Sequence, residues 1–321
     1  MPSYNDSMIA LVAALIGTSV HAFVTPFTQP VRSSSTTAPF LPPVQQQFIP
    51  RTFDQPHDAR RVQGRHVMFM GWGPDPIWST ATVTSNEKAC QSGACVSINI
   101  SVPPETAAAY EIPGQYVQVR LNDEETKPLF LAIASPPDKE NASFEFLVKK
   151  TEGNEWITSA TPGTTVEVSQ VLGNGFPMEE NLEGFKYDFP TQNVLLFAAG
   201  SGIAPIKAAM ESGQLGVAAS GSAGGRTARL YYGVQNPDEI CFVDRFGAWE
   251  QQGFQVVPVL SQPPSDWEGR TGYVQAALEE DGVPIPRNSG ALLCGMKGMF
   301  ESVKDILTKA GVFEGRVLTN F

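Results

Sequence analysis

Histidine is nearly missing from this chain of 321 residues: His21, His57 and His66 are the whole supply, so nothing beyond residue 66 carries an imidazole. That excludes His-based catalytic triads and His metal sites from the larger part of the protein. Cysteine is scarce as well. Cys90, Cys95, Cys241 and Cys294 are too few and too scattered for a disulfide scaffold. Cys90-x4-Cys95 has a spacing that opens an iron–sulfur pattern, but no C-x2-C completes it, and no metal site is expected. A regulatory disulfide across Gln91-Ser92-Gly93-Ala94 is the alternative to two free thiols there. Cations are outnumbered, with 22 Lys and Arg against 33 Asp and Glu and a formal net charge of −11. A nucleic-acid partner needs clustered cations to displace phosphate counterions, so that class is excluded. Only one long apolar run exists, Met8 to Val20, and it is too short to span a bilayer comfortably.

That run has the length of a signal-peptide h-region, and Val20-His21-Ala22 follows it as a small-x-small cleavage signal. Residues 1–22 are therefore expected to be a signal peptide. From 23 to 70 Ser, Thr, Pro and Gln dominate, with Arg32, Arg51, Arg60, Arg61 and Arg65 against only Asp54 and Asp58. Such a stretch cannot bury a core and has the bias of a disordered transit peptide. The segment His21-Ala22-Phe23-Val24-Thr25-Pro26, with this composition, resembles the bipartite plastid presequences of diatoms and related algae. The resemblance implies a plastid (chloroplast) location after both segments are removed, and a mature form that does not span a membrane. A disordered arm on a secreted protein is the alternative.

The full chain has 26 Pro and 29 Gly to punctuate it, and its part beyond residue 70 divides near residue 190. Short β-rich runs occupy Ile77 to Thr84, Val96 to Val102, Tyr116 to Leu121, Leu129 to Ala134, Phe144 to Val148 and Thr165 to Val171, several alternating with period two. That spacing predicts an antiparallel Greek-key β-barrel over 71–190. Beyond Pro190 strands alternate with helices. The all-apolar run Val194 to Ala199 reads as a buried parallel strand, and the alternation predicts a doubly wound parallel-sheet nucleotide-binding domain over 191–321. Val217 to Gly225 reads as a surface loop.

Val194 to Ala199 leads into Gly200-Ser201-Gly202-Ile203-Ala204-Pro205 and then a helical segment. Strand, glycine turn and helix in that order present free N–H groups and a positive helix end to a pyrophosphate. A side chain at Gly202 is expected to obstruct the backbone's approach to that group. With Pro113-Gly114-Gln115-Tyr116, Ala132-Ile133-Ala134-Ser135, and Cys294-Gly295 with Met299, four motifs occur in the order of one family. On these residues the chain resembles the ferredoxin-NADP reductase superfamily from about Ile77 to Phe321. Its closest form resembles the plant plastid "fruit protein" reductase-like group. Leu172-Gly173-Asn174-Gly175-Phe176 is similar to a glycine turn in the electron-transfer subunit of some dihydroorotate dehydrogenases.

The resemblance implies FAD in the barrel, NAD(P) on the second domain and hydride transfer to an unidentified electron acceptor. Cys294 and Gly295 would then shape the nicotinamide side, and Phe321 would cover the flavin ring. The family's flavin motif Arg-x-Tyr-Ser/Thr is not kept: Leu129, Leu131 and Ala132 stand at its three positions. Lys127 is the nearest compensating cation, though it lacks the bidentate fork of Arg. Gly153-Asn154-Glu155-Trp156 likewise puts Trp where a second motif has a hydroxyl. Flavin is thus expected to be loosely held. The rival reading is a reductase-like scaffold with a degenerate flavin site, acting as a nucleotide-binding or assembly protein. Acidic residues at Asp238 and Glu239 favour NAD, while Arg226, Arg229 or Arg245 would favour NADP if they reached the same ribose.

Overall fold

In the computed structural model the described residues are 75–123, 126–184, 187–219 and 225–320. The expected signal and transit segments, Phe321 and the middle of the 217–225 loop lie outside them. Six strands form the first sheet: β1 Trp78–Lys88, β2 Cys95–Ser101, β3 Tyr116–Arg120, β4 Leu129–Ala132, β5 Ser143–Lys149 and β6 Thr165–Ser169, in the order β4-β3-β6-β1-β2-β5. Every pairing is antiparallel, and an isolated bridge between Ile133 and Phe146 links the two edges, nearly closing a barrel. Alternation explains the closure. Ile98, Ile100, Val117, Val119, Val166 and Val168 all point inward and are fully buried, which a two-residue period alone can achieve. Three short helices, α1 Pro104–Ala108, α2 Glu155–Thr158 and α3 Met178–Leu182, fill the connections.

The second sheet is parallel, ordered β10-β9-β8-β7-β11-β12 from β7 Asn193–Ala199, β8 Thr227–Val234, β9 Phe254–Leu260, β10 Arg270–Thr271, β11 Ser289–Cys294 and β12 Val317–Thr319. Helices α4 Ile203–Glu211, α5 Phe246–Gln251, α6 Val274–Asp281 and α7 Lys297–Ala310 connect the strands. Two apolar clusters cover the two faces of the sheet: Leu196 and Leu230 belong to one, Leu195 and Tyr231 to the other. From β7 the chain first builds outward through β8 to β10, then returns to add β11 and β12 on β7's other side. The reversal lies between β7 and β11, and such a switch point leaves a crevice at the strands' carboxyl ends. Strand β12 and helices α1 and α3 are too short for periodicity in the sequence to reveal them.

Candidate functional site

Both chain segments that frame the crevice are ones the sequence singles out. Strand β7 ends at Ala199 and passes into a single 3-10 turn, Gly200–Gly202, before α4 begins at Ile203. Gly200 has φ +54 and is exposed with open space where a Cβ would stand, so this glycine serves both the turn and the approach of a ligand. Ser201 is exposed beside it, whereas Gly202, Ile203, Ala204 and Pro205 are buried behind. Gly202 does not face the crevice as the sequence suggests. A Cβ there would sit 2.3 Å from the Cys294 carbonyl oxygen, so its missing side chain lets β11 pack against the turn.

Opposite the turn, β11 delivers Cys294 and Gly295. Cys294 is partly buried, and that burial pushes its thiol up to about 12, leaving it neutral at ordinary pH. It offers an apolar wall, not a thiolate nucleophile. Gly295 has φ +159, with Met299 Cε 2.9 Å and Ala199 Cβ 3.0 Å from the position of a Cβ. Met299 itself is buried, and the next side chain, Met296, is exposed at the rim.

On the barrel side the segment Ala132-Ile133-Ala134-Ser135 is committed to the protein. Ile133 N–H donates to the Gln115 carbonyl and Ala134 N–H to the Glu145 carbonyl, while Ser135 Oγ accepts from Glu145 N–H at 3.2 Å. Leu129 and Leu131 pack against the barrel core. The exposed side chain of β4 is Phe130, whose ring lies 6.0 Å from that of Tyr116. Lys127 is exposed. Trp156 packs on the barrel core, and the N–H of Gly153 donates to the Glu155 carboxylate at 2.9 Å. The N–H ahead of this short helix is thus taken by the chain's own carboxylate. These residues lack the guanidinium, ring and hydroxyl contacts that the resemblance implies for a flavin; the glycine turn fits a dinucleotide pyrophosphate.

The turn Pro113-Gly114-Gln115-Tyr116 is braced by its own side chain. Gln115 Oε1 accepts from the N–H groups of Glu111 and Ile112, and its Nε2 donates to the Gly173 carbonyl at 3.0 Å. Gly114 has φ +97 and is covered by Phe176 and Asn320, the latter donating to the Gly114 carbonyl. The chain end is therefore seated on the barrel, although Phe321 itself lies outside the described residues.

Sequence reasoning missed the contact that sets α4 against the barrel. Lys207, 2% exposed, donates to Glu145 Oε2 on β5, to Glu211 Oε2 on its own helix and to the Ala134 carbonyl. Trp249 on α5 donates to Glu211 Oε1 at 3.0 Å, and Ser97 donates to Glu145 Oε1 at 2.7 Å. A lysine inside the apolar string Ile203 to Met210 was the available signal. Two of the arginines that would favour NADP if they reached the ribose do not lie at that end of the sheet. Arg226 is buried against the Thr191, Leu215 and Leu182 carbonyls, and Arg229 is bound to Asp281 and Gln255. Both lie at the amino-terminal start of β8, the wrong end of the sheet for a nucleotide. Arg245 lies 3.5 Å from Glu211.

No metal site is expected from the sequence, yet Cys90, Cys95 and Cys241 place their sulfurs within 4.8 Å of one another. The neighbouring Cys241 thiol holds the Cys95 thiol below its usual range.

Known proteins with this arrangement are informative. The family of oxidoreductase NAD-binding domains matches residues 196–305. "Fruit protein pKIWI502" of Actinidia deliciosa is 34% identical over 256 residues, covering 77% of this chain and 76% of its own. NADH-cytochrome b5 reductase 1 of Emericella nidulans is 26% identical over 185 residues, covering 56% of this chain and 57% of that protein. The ferredoxin NADP+ reductase of Neisseria gonorrhoeae, solved with bound FAD and NADP, has the same fold, with a TM-score of 0.61 at 16% identity over 75% of this chain and 97% of that one.

Proposed function

The chain belongs to the ferredoxin-NADP reductase superfamily, and from that premise we propose that it is an NAD(P)H-dependent oxidoreductase that binds the dinucleotide at Gly200–Ser201 and holds FAD loosely. One observation carries the reading: Gly200 and Ser201 stand exposed at the switch point, facing the neutral Cys294 and Gly295 across it. Exposed N–H groups ahead of α4 would receive the pyrophosphate, and the thiol of Cys294 would lie against the nicotinamide without competing as a base. A bound flavin would supply the hydride acceptor and pass electrons on to a further acceptor. The chain's own task is to orient the two cofactors and exclude water between them.

NADH is the favoured donor. Arg226 and Arg229 are engaged at the far end of β8, while Asp238 and Glu239 follow its carboxyl end. Acidic groups accept a ribose 2′-hydroxyl and repel a 2′-phosphate. NADH should therefore exceed NADPH in kcat/KM by about tenfold or more, a difference of about 1.4 kcal/mol.

Loose flavin retention rests on three lost contacts. A charge-assisted hydrogen bond is worth about 1.5–3 kcal/mol, and an aromatic stack adds about 0.5–1.5 beyond its buried area. Leu129, Leu131 and Ala132 supply neither, and the Glu155 carboxylate already takes the Gly153 N–H. The purified protein should lose flavin on dialysis and regain stoichiometric absorbance and NADH-dependent dye reduction with added FAD. A protein that keeps one FAD through extensive dialysis would overturn the loose-site reading. Failure of added FAD to bind at all would favour the rival, a scaffold that binds nucleotide without reducing anything. The Glu155 carboxylate on Gly153 N–H is the observation on that side.

A further inference from the structure

Three of the four cysteines meet at one point although they come from distant parts of the chain. Cys90 lies in the turn between β1 and β2, Cys95 opens β2, and Cys241 follows β8 of the parallel sheet. Their sulfurs are within 4.8 Å of one another, and the residues are 6%, 7% and 1% exposed. Backbone hydrogen bonds hold the two segments together on either side: Ser92 N–H donates to the Asp238 carbonyl at 2.9 Å and Phe242 N–H to the Ala89 carbonyl at 3.2 Å. Cys241 Sγ lies 3.6 Å from the Glu239 carbonyl, to which it donates, and the Cys90 sulfur has polar neighbours of its own. Cys95 N–H points at Cys90 Sγ at 3.4 Å, and the Ser92 hydroxyl lies 3.3 Å from the same sulfur.

We propose that Cys90, Cys95 and Cys241 form a three-thiolate site for a soft divalent cation of the zinc class, which staples the barrel's β1–β2 turn to the segment after β8. Thiolates bind zinc at about 2.3 Å, so three of them on a tetrahedral ion stand about 3.8 Å apart. The observed separations need to close by less than about 1 Å to reach that geometry. Sulfur ligands select zinc-like ions over magnesium or calcium, which take oxygen. Each thiol gives up its proton to solvent as the metal binds, and Lys149, paired with Cys95 in the β2–β5 register, sits as a cation near the resulting charge. Ser92, whose hydroxyl lies 3.3 Å from Cys90 Sγ, is itself exposed, and a water would complete the tetrahedron. A disulfide would use two of the sulfurs and leave the third without a role. The convergence of all three is what a metal requires. The site is independent of the glycine turn and stands whether or not the chain reduces a substrate.

The test uses the full chain, reduced and stripped with a chelator, and cadmium as the probe. One cadmium per chain should bind, with an ultraviolet thiolate charge-transfer band. Cys241→Ser and Cys95→Ser should each lower the affinity about 100-fold or more while retaining NADH binding. Should either variant fail to fold, alkylation of the wild-type chain decides the matter: cadmium should shield Cys90, Cys95 and Cys241 and leave the labelling of Cys294 unchanged. Equal labelling with and without cadmium, or binding well below one per chain, would overturn the proposal. So would a mass two hydrogens lower without reductant, mapped to a bond within the cluster, since that assigns the cysteines to a disulfide.

Discussion

Gly200 and Gly202 belong to one turn but are glycine for different reasons. At Gly200 a left-handed φ and open space leave room for a ligand, while at Gly202 the room is already filled by the backbone of β11. A substitution at Gly202 therefore cannot report on the nucleotide. Gly202→Val should lower stability by about 1–3 kcal/mol, the range for forcing atoms into a packed interior, visible as a reduced urea midpoint. Ser201→Asp should instead leave the midpoint unchanged and weaken NADH by tenfold or more, because a carboxylate would face the pyrophosphate. Calorimetric titration beside urea unfolding separates the two. If Ser201→Asp bound NADH as tightly as the parent, the nucleotide would have to lie elsewhere.

At the scale of elements, the position of α4 is decided by Lys207 and the two carboxylates that surround it. The helix is short and its N-terminus is the one aimed into the crevice, so any rocking of α4 moves the glycine turn. Pairing across two elements resists this. Glu145 belongs to the barrel and Glu211 to the helix, and Trp249 of α5 holds the second carboxylate from a third direction. Removing the cation would strand two largely buried carboxylates, and breaking such a pair costs about 3–5 kcal/mol. Lys207→Met should show a loss of that order in urea unfolding, partly restored by adding Glu145→Gln. No loss in Lys207→Met would show that solvent reaches the pair and that apolar packing alone holds α4 in place.

For the whole molecule, two sheets of different kind divide the labour. The antiparallel barrel offers a surface, and the parallel sheet offers a switch point with a crevice. Among the described residues no helix is long and apolar enough to cross a membrane. We propose that the chain acts in a plastid after losing residues 1–70, on the strength of the charge-free run at Met8 to Val20 and the Arg-, Ser- and Pro-rich stretch beyond it. Protein recovered from the organelle should begin near Met70 by N-terminal sequencing. A start before Val31 would show that the second segment is not a transit peptide.

Local chemistry made the architecture legible. Period-two runs such as Val96-Ser97-Ile98-Asn99-Ile100 bury alternate side chains on any antiparallel sheet, and an apolar run into Gly-x-Gly can hardly end otherwise than at a strand-to-helix turn. The loss of the flavin motif was legible too, since Leu carries neither charge nor ring. Long-range placement was not. Whether Arg226 and Arg229 reach a ribose depends on which end of β8 they occupy, and the partner that closes on Gly202 is 92 positions away in the chain at Cys294. Cys90 and Cys95 look like an incomplete pattern until Cys241 arrives from the other sheet. Sequence periodicity reports the environment of neighbouring residues, whereas a site built from two sheets exists only once both have folded and packed.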